Sequence, residues 1–131
     1  MNILLLLALF AAEFQEEFNV SVSSPIIRSY ALQENIIGIC DPDTKVVTLN
    51  ESYLLFMETN KLKKLVFHEL AHCYLGMKHL ETGIMKVGNA LLPMSTKELN
   101  RQIKELKEQV KNPKNKQTFR TYSFKGVPCE R

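Results

Sequence analysis

The sequence predicts an α+β fold in which a short mixed sheet packs on one apolar helix, with a second helix following toward the C-terminus. Three observations carry this. Residues 36–40 and 45–49 are rich in β-branched and aliphatic side chains and flank Asp41-Pro42-Asp43-Thr44, a strand, turn, strand pattern. Residues 61–75 place Leu62, Leu65, Val66, Leu70 and Cys73 on one broad side, and Phe67, Ala71 and Tyr74 extend that apolar surface, so this helix belongs in the interior. Residues 95–111 open on Ser95-Thr96-Lys97-Glu98, the form of a capping box, after which Leu99, Ile103, Leu106 and Val110 recur at helical spacing. A chain of 131 residues that is 45% hydrophobic suffices for one domain with an ordinary core, and neither composition nor any internal repeat points to a fibrous or disordered protein.

In chain order, residues 1–12 form an apolar run ended by Glu13, too short to span a bilayer comfortably. The run matches the apolar core of a secretory signal peptide, with Ala11-Ala12 as a small-residue cleavage site, although no basic residue precedes it. An ordinary N-terminal helix packed on the domain and an uncleaved anchor are the competing readings. The domain proper is placed at 13–111. Residues 20–22 and 26–30 read as short strands, with Pro25 a break between them. Pro42 suits the second position of a type I turn. Asn50 or Ser52 is expected to cap a short helix through Met57, and Thr59 or Asn60 to cap the long helix over 61–75. Residues 86–94 are a loop, and 112–131 form a basic tail with a short strand expected over 118–124.

All three histidines of the chain lie in His68-Glu69-Leu70-Ala71-His72-Cys73-Tyr74-Leu75-Gly76-Met77-Lys78-His79. On a helix, His68 and His72 project from one face a single turn apart and can grip one metal ion. Glu69 stands beside them, placed to act as general base toward a metal-bound water. An unbroken helix would carry His79 about 10 Å beyond His72 at 1.5 Å per residue, too far to share the ion. The chain must therefore turn back, and Gly76 is the residue that accepts the left-handed conformation ending many helices. Three imidazoles with one open position is the arrangement of a catalytic zinc.

This segment resembles the zinc signature of the metzincin metallopeptidases, H-E-x-x-H-x-x-G-x-x-H followed by a Met-turn. Here His68, Glu69, His72, Gly76 and His79 follow that order, and Gly83-Ile84-Met85 comes after them. One departure stands out: three residues separate His72 from Gly76 where the pattern has two, so the helix must run longer or its final turn must be wider. The resemblance implies a small zincin-like domain, a Zn2+ cofactor held by His68, His72 and His79, Glu69 as catalytic base, Met85 as an apolar floor under the histidines, and a peptide or protein substrate. It also implies that the strand before the helix, residues 45–49, borders the cleft and pairs with an extended substrate. A plain hairpin is the alternative. For an oxyanion donor, Tyr74 is a poor candidate because it points to the far side of the helix, while Tyr53 and Tyr122 stay open.

Two further classes remain. One is a zinc hydrolase with an acidic third ligand, Glu81 or Glu98; the other is a non-catalytic zinc-stabilised binding protein. Cys40, Cys73 and Cys129 fall in no C-x-x-C spacing. In an exported chain Cys40 could pair with Cys129, leaving Cys73 buried in the helix, and three reduced thiols are the alternative. The net charge of +3 divides unevenly, with 8 Lys/Arg against 11 Asp/Glu in residues 1–100 and 9 against 3 in 101–131. A basic tail of this kind is more often a solvated helix face than a nucleic-acid site. The chain is therefore expected to be a monomer that is secreted, periplasmic or membrane-anchored, meeting a membrane only through residues 1–12.

Overall fold

The computed structural model describes residues 2–117 and 127–130, and the fold is α+β. Helix α1 (Ile3–Phe18) is capped by the Asn2 side chain and ends at Asn19 in the left-handed region. Ala11 and Ala12 lie inside this helix, which continues for another turn and a half and buries Leu7, Phe10 and Phe14. No sheet forms at 20–22: the Val22 amide donates to the Gln15 side chain at 2.7 Å, which ties the segment back to α1.

Strands β1 (Ile26–Ser29), β2 (Ile36–Cys40), β3 (Val47–Asn50) and β4 (Val127–Glu130) form one mixed sheet in the order β1-β3-β2-β4. β1 runs parallel to β3, while β2 is antiparallel to both β3 and β4. Residues 45–49 therefore do not form a cleft edge. β3 is internal, with β1 bonded along the side expected to receive substrate, and Val47 and Leu49 are sealed between neighbours. The hairpin turn is one residue longer than a type I turn: the Lys45 amide donates to the Asp41 carbonyl at 2.8 Å, and Lys45 takes a left-handed φ of 65°.

Asn50 caps the short helix α2 (Glu51–Leu54) by accepting from the Ser52 amide. The long helix α3 (Thr59–Leu75) begins earlier than its sequence signals imply and has no side-chain cap. Asn60 instead donates to the Met94 carbonyl at 2.9 Å, and Glu58 accepts from the Met94 amide at 2.7 Å, so these two polar groups pin the 86–94 loop. α1 packs across α3 through the edge-on ring pair Phe14 and Phe67, with centroids 5.2 Å apart. Beyond a 3-10 turn at Gly83–Met85, helix α4 (Thr96–Gln109) buries Leu99, Ile103 and Leu106. Only half of its capping box forms. Ser95 Oγ accepts from the Glu98 amide at 3.1 Å, but the Glu98 carboxylate turns to Arg101 and Gln102.

The disulfide joins Cys40 to Cys73, not Cys40 to Cys129. Cys40 ends β2 where that strand reaches α3, and Cys73 points from α3 toward it, with Cα atoms 5.7 Å apart, an ordinary separation for a disulfide. The strand expected over 118–124 lies outside the described residues.

Candidate metal centre

α3 ends in the way its extra residue requires. The amides of Gly76 and Met77 both point at the Ala71 carbonyl, so the last turn is wider than an α-turn, and Gly76 adopts φ 66°. Two lysines satisfy other carbonyls of that turn: Lys45 Nζ reaches the Cys73 oxygen at 2.6 Å, and Lys116 Nζ the Leu75 oxygen at 2.7 Å. The returning chain is fixed by the Gln117 amide on the Gly76 carbonyl at 2.7 Å and the Lys78 amide on the Asn115 carbonyl at 2.9 Å. This return sets His79 beside the helical pair.

The result is a cluster of four ligand atoms, from His68, His72, His79 and Cys129, all within 4.8 Å of one another. His68 Nε2 and His72 Nε2 are 3.1 Å apart, and Cys129 Sγ lies 3.1, 3.3 and 3.4 Å from the Nε2 atoms of His68, His72 and His79. A tetrahedral zinc with nitrogen at about 2.0–2.1 Å and sulfur at about 2.3 Å spaces its ligands about 3.3 Å (N to N) and about 3.6 Å (N to S) apart. The donor set thus has both the chemistry and the spacing of a metal cage. The opposite ring atoms are engaged as a metal site requires: His68 Nδ1 is 2.7 Å from the Ile84 carbonyl, and His72 Nδ1 is 2.6 Å from the Met77 carbonyl. Donation to these carbonyls leaves each Nε2 lone pair facing the centre. The Gln117 side-chain Nε2 donates to the same Met77 oxygen at 3.0 Å.

Burial lowers the proton affinity of all three histidines, with repulsion from neighbouring imidazoles adding to it at His68 and His72, and brings His72 to about 4. They are neutral near pH 7, the state that binds metal. Burial also pushes the Cys129 thiol well above its usual range, and the adjacent Glu69 carboxyl adds to this.

Glu69 is fully buried, and among the described residues no nitrogen or oxygen donor meets its carboxyl oxygens. The Cys129 thiol lies beside it as a weak donor that favours the charged carboxylate. Burial raises its pKa to about 8. Room for the side chain comes from Gly38 on β2, where a Cβ would stand 2.8 Å from Glu69 Oε2. Gly38 is also the residue that pairs with Cys129 across β2 and β4.

His68, His72 and His79 are thus brought together with Cys129, Glu69 lies against Cys129 outside the ligand cluster, and Met85 is fully buried in the 3-10 turn. The polar contact from that turn is made by the Ile84 carbonyl one residue earlier. Glu81 and Glu98 are not members of the cluster among the described residues, and the Glu98 carboxylate is held by Arg101 at 2.6 Å. Tyr53 donates its hydroxyl to the Glu34 carbonyl, Tyr74 accepts from the Ser24 amide at 3.0 Å, and Tyr122 lies outside the described residues. Sequence reasoning missed Cys129, Gly38 and Gln117. No local spacing links any of them to the histidines, and each arrives through a long-range pairing. Comparison with protein-family models, with curated proteins and with solved structures gives no match to this chain.

Proposed function

We propose that the chain is a zinc-dependent metallopeptidase acting on peptide or protein substrates. Glu69 is the observation that carries this reading. A buried carboxyl with only a thiol beside it is costly and gives nothing to a purely structural metal site. A hydrolytic site requires one beside the metal. The metzincin-like order of the motif residues agrees with this. His68, His72 and His79 would hold the zinc, their tautomers set by the Ile84 and Met77 carbonyls. Zinc bound there supplies Lewis acidity toward the attacking water and the scissile carbonyl. Glu69, with a proton affinity near neutrality, takes the proton from that water as its oxygen bonds the carbonyl carbon. It then delivers the proton to the leaving amine as the C–N bond breaks.

Export is supported by the Cys40–Cys73 disulfide, a bond at home in an oxidising compartment. The outward face of α1 keeps Leu4, Leu5 and Leu9 exposed, an apolar surface in accord with a targeting or membrane-surface role. Among the described residues no helix is long and apolar enough to cross a membrane.

Elemental analysis of wild type beside His79→Ala tests the metal. About one zinc per wild-type chain, lost or much weakened in the variant, is expected. Glu69→Gln should retain zinc and lose peptide hydrolysis by about a hundredfold or more. Absence of zinc from wild type even after reconstitution would sink the proposal.

Cys129 favours a second reading. Four protein ligands characterise structural zinc, and a His3Cys site would clamp β4 to the domain without turnover. Cys129→Ser separates the two. On the peptidase reading the variant opens a coordination position and hydrolyses peptides at least as fast as wild type. On the structural reading the variant loses zinc and stability, and neither protein turns over substrate.

A further inference from the structure

Against the histidine cluster lies a cavity of about 40 Å³ whose walls include Lys61, Lys64, Lys86, Leu65, His68 and Cys129. At about 10–15 Å³ per water this holds roughly three waters, about the size of a carboxylate group. Lys61 and Lys64 share one face of α3 at helical spacing, and Lys86, just after the Gly-Ile-Met turn, is brought to that face by the tertiary fold. Lys61 is only 5% exposed.

Three other lysines have acidic partners: Lys63 pairs with Glu13 at 2.6 Å, Lys111 with Glu108 at 3.1 Å, and Lys107 with Glu17; Lys45 and Lys116 instead donate to backbone carbonyls. Among the described residues none of the three cavity lysines forms an ion pair. The acids whose fields reach them are already committed. Glu58 accepts from the Met94 amide, Glu98 is held by Arg101 and Gln102, and Glu105 accepts from the Thr82 hydroxyl. Burial first, and then repulsion from Lys61 and Lys86, weakens the hold of Lys64 on its proton. Three lysines that line this mainly apolar, half-enclosed cavity, with Lys61 and Lys86 close enough to repel Lys64 and no counter-ion among the described residues, mark a place for an anion from outside.

We propose that this cavity is a substrate subsite that receives an acidic side chain, Asp or Glu, on a residue next to the scissile bond. The inference rests on the peptidase reading above. Because His68 forms part of the wall, whatever fills the cavity lies adjacent to the group at the metal. Leu65 and Ile84 give an apolar lining for one or two methylenes, and the lysines meet the carboxylate. A basic side chain is repelled, and a large aromatic one exceeds the volume.

The test uses the full chain reconstituted with zinc. Fluorescein-labelled hexapeptides of alanine with a single central Asp, Asn or Lys are titrated by anisotropy into Glu69→Gln and into Glu69→Gln/Cys129→Ser. The Asp peptide should bind at least about tenfold tighter than the Asn and Lys peptides in one or both proteins, and adding Lys64→Met/Lys86→Met should bring it to the Asn level. Equal affinities, no binding by any peptide, or a preference that survives loss of both lysines would overturn the subsite. Cleavage by wild type and Cys129→Ser, mapped by mass spectrometry, keeps the two ideas distinguishable. Cleavage without acidic preference retains the peptidase and overturns the subsite, whereas Asp-selective binding with no cleavage retains the acidic-ligand site and refutes hydrolysis.

Discussion

Gly38→Ala probes whether Glu69 occupies the sealed space beneath β4. The backbone of Gly38 is not in the positive-φ region, so alanine is admissible there on conformational grounds. The new methyl group would instead meet Glu69, at 2.8 Å from Oε2, 3.1 Å from Cδ and 3.2 Å from Cγ. With Glu69 at 0% exposure, the carboxyl has no solvent to retreat into. Overpacking of this kind costs about 1–3 kcal/mol. An unfolding entropy of about 2.1 cal/mol/K per residue gives about 0.28 kcal/mol/K for this chain, so the midpoint should fall by about 4–11 °C. The assay is calorimetric unfolding of zinc-loaded protein, with peptide hydrolysis followed in parallel. On the proposed peptidase reading, hydrolysis should drop by about a hundredfold if the carboxyl shifts by 1 Å. Repeating the substitution in a Glu69→Ala background supplies the control, since the methyl group then has room. If Gly38→Ala costs the same in both backgrounds, to within about 0.5 kcal/mol, the two residues do not touch and the description of this site is wrong.

Two further outcomes follow from the same geometry. The Cys40–Cys73 bridge spans 33 residues, for which the chain-entropy model gives about 3.7 kcal/mol, so Cys40→Ala/Cys73→Ala should lose stability on that scale in urea denaturation. A loss below about 1 kcal/mol would argue against the linkage. Lys64 has a folded pKa of about 8 against 10.5 unfolded, so between those values the unfolded chain holds the extra proton and wild-type stability rises with pH relative to Lys64→Met. Discounted for partial exposure, the rise is roughly 1–2 kcal/mol, and a flat difference between pH 8 and 10.5 would show that Lys64 is not held in the buried, like-charged setting described for it.

Much of the scaffold was legible locally. The stop at Gly76, the Asn50 cap, the span of β2 and the inward stripe of α4 all follow from signals carried within a few residues. The capping expectations for α3 failed because Asn60 found a stronger use against the Met94 carbonyl, a partner 34 positions away. Residues 45–49 read correctly as extended but wrongly as an edge. A strand's own sequence fixes its side-chain alternation, whereas whether it has one neighbour or two depends on where β1 lands. The Cys40–Cys129 pairing failed for a similar reason, since cysteine spacing carries no connectivity and the reach of β2 to α3 settled it.

By itself, the sequence determined the histidine pair on α3, the return at Gly76 that carries His79 back to it, and the carboxyl of Glu69 between them, because these depend on helical periodicity and one glycine. Only the tertiary structure decided that Cys129 completes the cluster, that Gly38 makes space for Glu69, and that three lysines converge beside His68. Cys129 stands 50 to 61 positions from the histidines it meets, and Lys86 comes to the Lys61 and Lys64 face of α3 from beyond the helix, contacts set by strand pairing and core packing, of which no local pattern keeps a record.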